Sequence, residues 1–227
     1  MYLAKPGLLV VLLFSAIQCA ANSEDWSTWL VTYYQTKEVN RADEFWDRTV
    51  ARGALLTTPA IRERLIGFFG AVFRENPNLL TKKVHSVPKQ SGIERDGIAL
   101  ILWYANKSTS RSLLAEAGLS SMTISPVPGI SHRSIMTEED VDFLFGWFCA
   151  TGDIAAFEPL TKIIEISDLS KPNRRAEYAA AAIAYFSERD QRVRTLIETR
   201  LHNANLSTEA QLIYTHALKQ NTPNKSL

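Results

Sequence analysis

Apolar side chains recur on the helical period through most of this chain, and most densely between positions 137 and 166. Val141, Leu144, Phe145, Phe148 and Cys149 follow the i, i+3, i+4, i+7, i+8 spacing of one helical face. Phe143, Trp147 and Ala150 add a second stripe to the same helix. A helix that is apolar on most sides is covered from more than one direction, so this one is read as central. Thr137 supplies an N-cap, and Glu138, Glu139 and Asp140 place negative charge on the first turn. Gly152 suits a left-handed C-terminal turn, and Asp153 opens a second segment, so 141–166 reads as a helical hairpin.

The same period organises the rest. Trp26, Trp29, Leu30 and Tyr33 mark a helix over 22–34. A second, over 37–55, buries Val39, Ala42, Phe45, Trp46, Thr49 and Val50, with Arg41, Glu44 and Arg48 on its wet side. Thr58-Pro59 restarts the chain, because a proline in the first turn sacrifices no intrahelical bond. The helix over 60–75 holds Gly67 and Gly70, which each cost about 1 kcal/mol of helix propensity against alanine and so predict close approach of a neighbouring helix. Asn76-Pro77 breaks it. The apolar run 94–104 fits a helix or a buried strand by length. Helix is preferred, because no partner strand is found elsewhere. Short helices are expected over 78–87 and 108–117.

The stretch 118–136 is rich in serine, proline and glycine and reads as the longest irregular segment. Beyond the central hairpin, Lys171-Pro172 restarts the chain, followed by an alanine-rich helix over 174–186. Helices are expected over 190–202 and from the Ser207 cap onward, with 221–227 a polar, disordered tail. These patterns predict an all-α fold of stacked antiparallel helical hairpins, either α-solenoid-like or an irregular helical bundle. The expected organisation is a signal peptide over 1–21 and a single helical domain over 22–220. That domain divides into an N-terminal half (22–117), a loop (118–136) and a C-terminal half (137–220).

The helix starts near Thr137, Pro172 and Ser207 lie about 35 residues apart, the length of one helix–turn–helix repeat. Leu144, Phe148, Gly152-Asp153 and Ile154 resemble part of a tetratricopeptide hairpin. Leu144 and Phe148 would be its first-helix packing positions and Gly152-Asp153 its turn. The resemblance implies stacked α-hairpins. The string 145–153 also resembles one found in uncharacterised exported bacterial helical proteins, a likeness that carries no activity.

Composition changes this picture in two ways. Lys5 followed by the short apolar run 7–17, then Cys19-Ala20-Ala21, reads as a secretory signal cleaved before Asn22. The predicted location is therefore periplasmic or secreted. Cys19 also lies where a lipidated cysteine would, although Gln18 stands where such signals carry a small residue. No later run is long enough to span a membrane. Removing Lys5 with the signal brings basic and acidic side chains into balance, so no general electrostatic drive toward nucleic acid is expected.

Chemistry is sparse by comparison. Cys149 is the one cysteine beyond the signal, and its place on an apolar face predicts a buried small hydrophobe. Four histidines, His85, His132, His202 and His216, form no i, i+4 pair, and no metal motif is present. His202 and His216, with Glu198 or Glu209, are the nearest to a metal set, though surface or capping roles are preferred. Arg62/Arg64 and Asp142 read as solvated helix positions. No catalytic residue, metal ligand or cofactor is assigned. Most aromatics of the first two helices are expected in the core. A groove lined by Trp26, Trp29, Tyr34 and Trp46, anchored by Trp26 or Tyr34 where exposed, with His132 and Arg133 in the long loop, is the candidate partner-binding set, since aromatic and arginine side chains dominate binding hot spots. The function expected is binding of a protein or peptide partner in the cell envelope. The alternative is a hydrolase-type enzyme with a pocket under the 118–136 loop, using Ser131-His132.

Overall fold

The structure is a computed structural model and describes residues 24–89, 92–167, 173–203 and 205–219. The signal segment with Cys19, the Lys171-Pro172 restart and the 221–227 tail lie outside the described residues. The fold is all-α: the described residues form helices and short 3-10 turns, with no strand among them. None of these helices is long and apolar enough to cross a membrane.

The α-helices in chain order are α1 (Glu24–Thr36), α2 (Val39–Arg48), α3 (Pro59–Glu75), α4 (Pro77–Lys83), α5 (Ile93–Ala105) and α6 (Ser108–Glu116). They are followed by α7 (Ser120–Ile124), α8 (Glu138–Thr151), α9 (Glu158–Ile166), α10 (Arg174–Ser187), α11 (Gln191–Leu201) and α12 (Thr208–Lys219). They group into two compact units. The larger holds residues 24–130 with Asp142–Asp153, and the smaller holds Ser131–Val141 with 154–219. The dividing line runs through α8, whose first turn counts with the smaller unit.

In the larger unit, α3 is the axis. Pro59 occupies its first turn, and Asn76-Pro77 ends it as the sequence predicts. Its two glycines serve two neighbours. A Cβ built on Gly67 would fall on the Phe143 carbonyl oxygen of α8, and one on Gly70 would lie 2.7 Å from Cβ of Tyr104 on α5. The contact with α8 is reciprocal, since a Cβ on Gly146 would fall on the Arg64 carbonyl. Backbone therefore touches backbone where α3 and α8 cross. The central helix is buried throughout Val141–Ala150, so the two-stripe reading of its sequence holds. Tyr104 completes the cover, with its ring 4.5 Å from Phe143.

The crossing also corrects two assignments. Arg64 and Asp142 are not solvated: each side chain is 3 % exposed, and they form an ion pair with each other. Arg64 lies one turn before Gly67, and Asp142 one turn before Gly146. Because the two glycines bring the backbones together, side chains one turn away are forced to meet. The Arg64 guanidinium also lies 4.6 Å from the centre of the Phe145 ring.

Other departures have local causes. The helix expected over 37–55 stops at Arg48, continues as the 3-10 turns Val50–Arg52 and Ala54–Leu56, and turns at Gly53 with φ of 83°. That left-handed value favours glycine, so Gly53 punctuates what apolar spacing alone extends. The 94–104 run is helical, as preferred. The 118–136 stretch, read as irregular, contains α7 and the 3-10 turn Ile130–His132.

In the smaller unit, α10 packs against α9, α11 and α12. Ala176, Ala179, Ala181 and Ala182 are all buried, and their small side chains permit contact on several sides. Each following helix has its own cap. Asp190 accepts from Arg192 N at 2.8 Å, and Ser207 Oγ accepts from Ala210 N at 3.1 Å, satisfying donors that a helix start leaves open. Within Ser131–Val141, Asp140 reaches back to accept from Met136 N (2.9 Å) and Thr137 N (3.0 Å). This is the half of a capping box that returns a carboxylate to the cap residue.

Candidate functional site

The α1–α2 connection sets the geometry of an open cleft in the larger unit. Lys37 has φ of 51°, and its N–H donates to the Tyr33 carbonyl at 2.7 Å, closing α1 with a left-handed residue. The turn aims the Lys37 ammonium at the ends of two other helices. It donates to Glu75 Oε2 at 2.6 Å and to the Ala150 carbonyl at 2.8 Å. A cation there meets the negative end of the helix dipoles. Gly152, with φ of 69°, turns the chain directly afterwards, and a Cβ there would lie 2.6 Å from Cδ2 of Tyr34.

Past that turn, Arg41, Glu44 and Arg48 repeat at i, i+3, i+7 on the outer face of α2, opposite the buried Ala42, Phe45 and Trp46. Under this face lies Trp26. Its ring stacks on Phe45 at 5.6 Å and meets the Trp29 ring edge-on at 5.3 Å. Arg41 and Arg48 place their guanidinium carbons 5.3 and 5.1 Å from the same indole centre. An open cleft of about 780 Å³ results, lined by Trp26, residues 37–41, Glu44 and Arg48. Its charges are mixed. Arg41 lies 3.8 Å from Glu38, and Lys37 is bound to Glu75. Arg48 is exposed, and its contact with Trp26 is its one polar interaction among the described residues.

The residues singled out from sequence are not gathered here. Trp26 is 6 % exposed and forms part of the cleft wall, while Trp29 and Trp46 are 3 % and 5 % exposed and belong to the core. Trp46 meets Phe69 edge-on at 4.9 Å, so its ring is spent on packing. Tyr34 is half-buried against Phe148 and accepts a hydrogen bond from Gln35 Nε2 at 2.8 Å. Trp29 and Trp46 are thus core, as most of these aromatics are expected to be, and Trp26 alone of the three tryptophans lines the cleft. His132 and Arg133 belong to the other unit. Arg133 donates to Asp140 at 2.8 Å, which ties it to the start of α8. Arg175 donates to the Ile135 carbonyl at 3.2 Å and holds the same segment from α10. His132 is exposed, and no side-chain hydrogen bond of His132 or Ser131 occurs among the described residues. A serine nucleophile needs a base and an orienting group, and this pair is not assembled into that relay.

Lys37, Arg41 and Arg48 were the signal missed. The sequence showed Arg41 and Arg48 seven apart on one helical face, but nothing in that spacing reveals the indole beneath them.

The remaining titratable groups point to packing. Burial pushes the Cys149 thiol well above its ordinary range, so the thiolate needed for nucleophilic chemistry is disfavoured. Burial, with Glu75 nearby, pushes Tyr33 up to about 12. In the smaller unit Tyr214 is raised by burial and then by Glu165, which accepts its hydroxyl proton at 3.1 Å. Arg200 pairs with Glu158 and lies 3.6 Å from Glu165, closing a polar network around α9, α11 and α12. His202 and His216 are exposed, and His202 Nδ1 lies 2.6 Å from the Glu198 carbonyl. No group of three or more metal-ligating side chains occurs among the described residues.

Comparisons of the chain with protein-family models, with curated proteins and with solved structures find no match.

Proposed function

We propose that this chain is an exported helical protein, periplasmic or secreted, that binds a protein or peptide partner through the cleft on α2. The secretory-signal pattern of the first 21 residues supports export. The observation that carries the binding reading is the cleft itself, with an exposed arginine poised over an indole. Arginine and tryptophan are the residues that most often dominate binding energy when they converge. The tetratricopeptide-like spacing of Leu144, Phe148 and Gly152 is consistent with a helical scaffold built for contacts of this kind.

Site-specific photo-crosslinking in the native envelope tests this reading. A photoreactive residue at Asn40, exposed on the cleft rim, should give a discrete adduct with a second protein. The same residue at Gln211, exposed in the other unit, should not. No adduct from Asn40, or the same adducts from both positions, would overturn it.

A further inference from the structure

We infer that the cleft's partner presents an acidic peptide segment, one of whose carboxylates is taken by Arg48 above Trp26. This rests on the binding function just proposed and specifies its chemistry. Arg48 is the cation the fold leaves for a ligand. It is exposed and lines the cleft, and among the described residues no carboxylate or carbonyl engages its guanidinium. Yet its side chain is positioned, because the cation lies 5.1 Å from the Trp26 ring centre. A guanidinium resting against an aromatic face keeps its N–H fork available at the edge, which suits paired bonds to a carboxylate. Arg41 lies 5.3 Å from the same ring centre and is held 3.8 Å from Glu38, so it braces the indole while Arg48 offers the fork.

The occupant follows from the charges beside this pair. Glu38 and Glu44 also line the cleft, so a uniform polyanion such as a nucleic-acid backbone or an anionic lipid surface would meet repulsion with each attraction. A peptide can place a carboxylate at Arg48 and keep neutral or basic residues near Glu38 and Glu44. An open cleft of about 780 Å³ accommodates a short extended segment rather than a single small ion. Val39 adds apolar wall for a neighbouring side chain of the same segment.

Fluorescence anisotropy of the purified exported chain with labelled ten-residue peptides tests this. The probes are an Asp/Ala peptide, a Lys/Ala peptide, a single-stranded oligonucleotide and vesicles containing anionic lipid. The Asp/Ala peptide should bind, with affinity that falls as salt rises. Arg48→Glu should weaken it about tenfold or more, as expected for loss of a charge-assisted pair, and Arg48→Lys should restore part of the binding. Glu44→Gln should tighten binding, because it removes a repelling carboxylate from the cleft. Circular dichroism of each variant should match the parent, since Arg48 is exposed. Three results would overturn the inference. One is no binding of the Asp/Ala peptide; another is equal binding by Arg48→Glu; the third is preference for the Lys/Ala peptide, oligonucleotide or vesicles. A failed peptide titration beside a surviving Asn40 adduct would remove the acidic chemistry and leave the binding function standing.

Discussion

The two units solve helix packing in different ways. In the larger, α3 and α8 cross with glycine against backbone, and large rings fill the space on either side: Phe68, Phe69, Phe73, Phe143 and Phe148 are fully buried. In the smaller, α10 offers alanines to its neighbours, and its helices are joined at the periphery by the Arg200–Glu158–Glu165 network. The ion pairs differ accordingly. Arg64 and Asp142 are 3 % exposed each, whereas Arg200 and Glu158 are 28 % and 40 % exposed. Similar chemistry thus has opposite energetic meaning. A pair sealed by a glycine crossing cannot exchange its partner for water, while a peripheral pair can.

The largest expected effect follows from that contrast. Asp142→Ala leaves the Arg64 cation buried without its counter-charge and should cost about 3–5 kcal/mol in urea unfolding. Next come Gly67→Ala and Gly146→Ala. The added methyl meets a carbonyl oxygen of the opposing helix rather than a yielding side chain, so each should cost about 1–3 kcal/mol. Smaller again is Arg200→Ala, which should stay under about 1 kcal/mol and shrink further in high salt. A loss at Arg200 equal to that at Asp142 would erase the distinction between the units.

The smallest effect at neutral pH concerns Tyr33. Its hydroxyl is buried and has no hydrogen-bond partner among the described residues. Burial raises it from 10.0 to about 12 in the folded state. Below pH 10 both folded and unfolded chains keep the proton, so this group imposes no penalty. As pH climbs from 10 toward 12 the unfolded chain ionises first, and stability falls. Tyr33→Phe should therefore be near neutral at pH 7 and more stable than the parent at pH 11, measured by chemical denaturation at both. An identical pH profile in the two proteins would contradict the assignment.

The sequence carried the local part of this picture well. The two apolar stripes of α8, the proline start of α3, its break at Asn76-Pro77 and the left-handed turn at Gly152 all depend on neighbours within a turn or two, and each appears in the structure. Gly67 and Gly70 even signalled close approach, because glycine inside a helix is costly unless something needs the space. Their partners were out of reach. Asp142 sits between Val141 and Phe143, and its spacing gives no hint that Arg64, distant in sequence, waits opposite. Trp26 and Arg48 are likewise joined only by the packing of α1 on α2. Helical periodicity tells which face is apolar; it does not tell which polar residue that face will carry inside, or which surface arginine will have an aromatic floor.

The α3–α8 crossing seals Arg64 and Asp142 together. A double-mutant cycle with Arg64→Met and Asp142→Leu, read by urea unfolding, tests it most directly. Each single substitution should be strongly destabilising, and the double variant should recover most of the loss, because replacing both buried charges by apolar groups removes the uncompensated one. Losses that simply add, leaving the double variant the least stable of the three, would contradict the account.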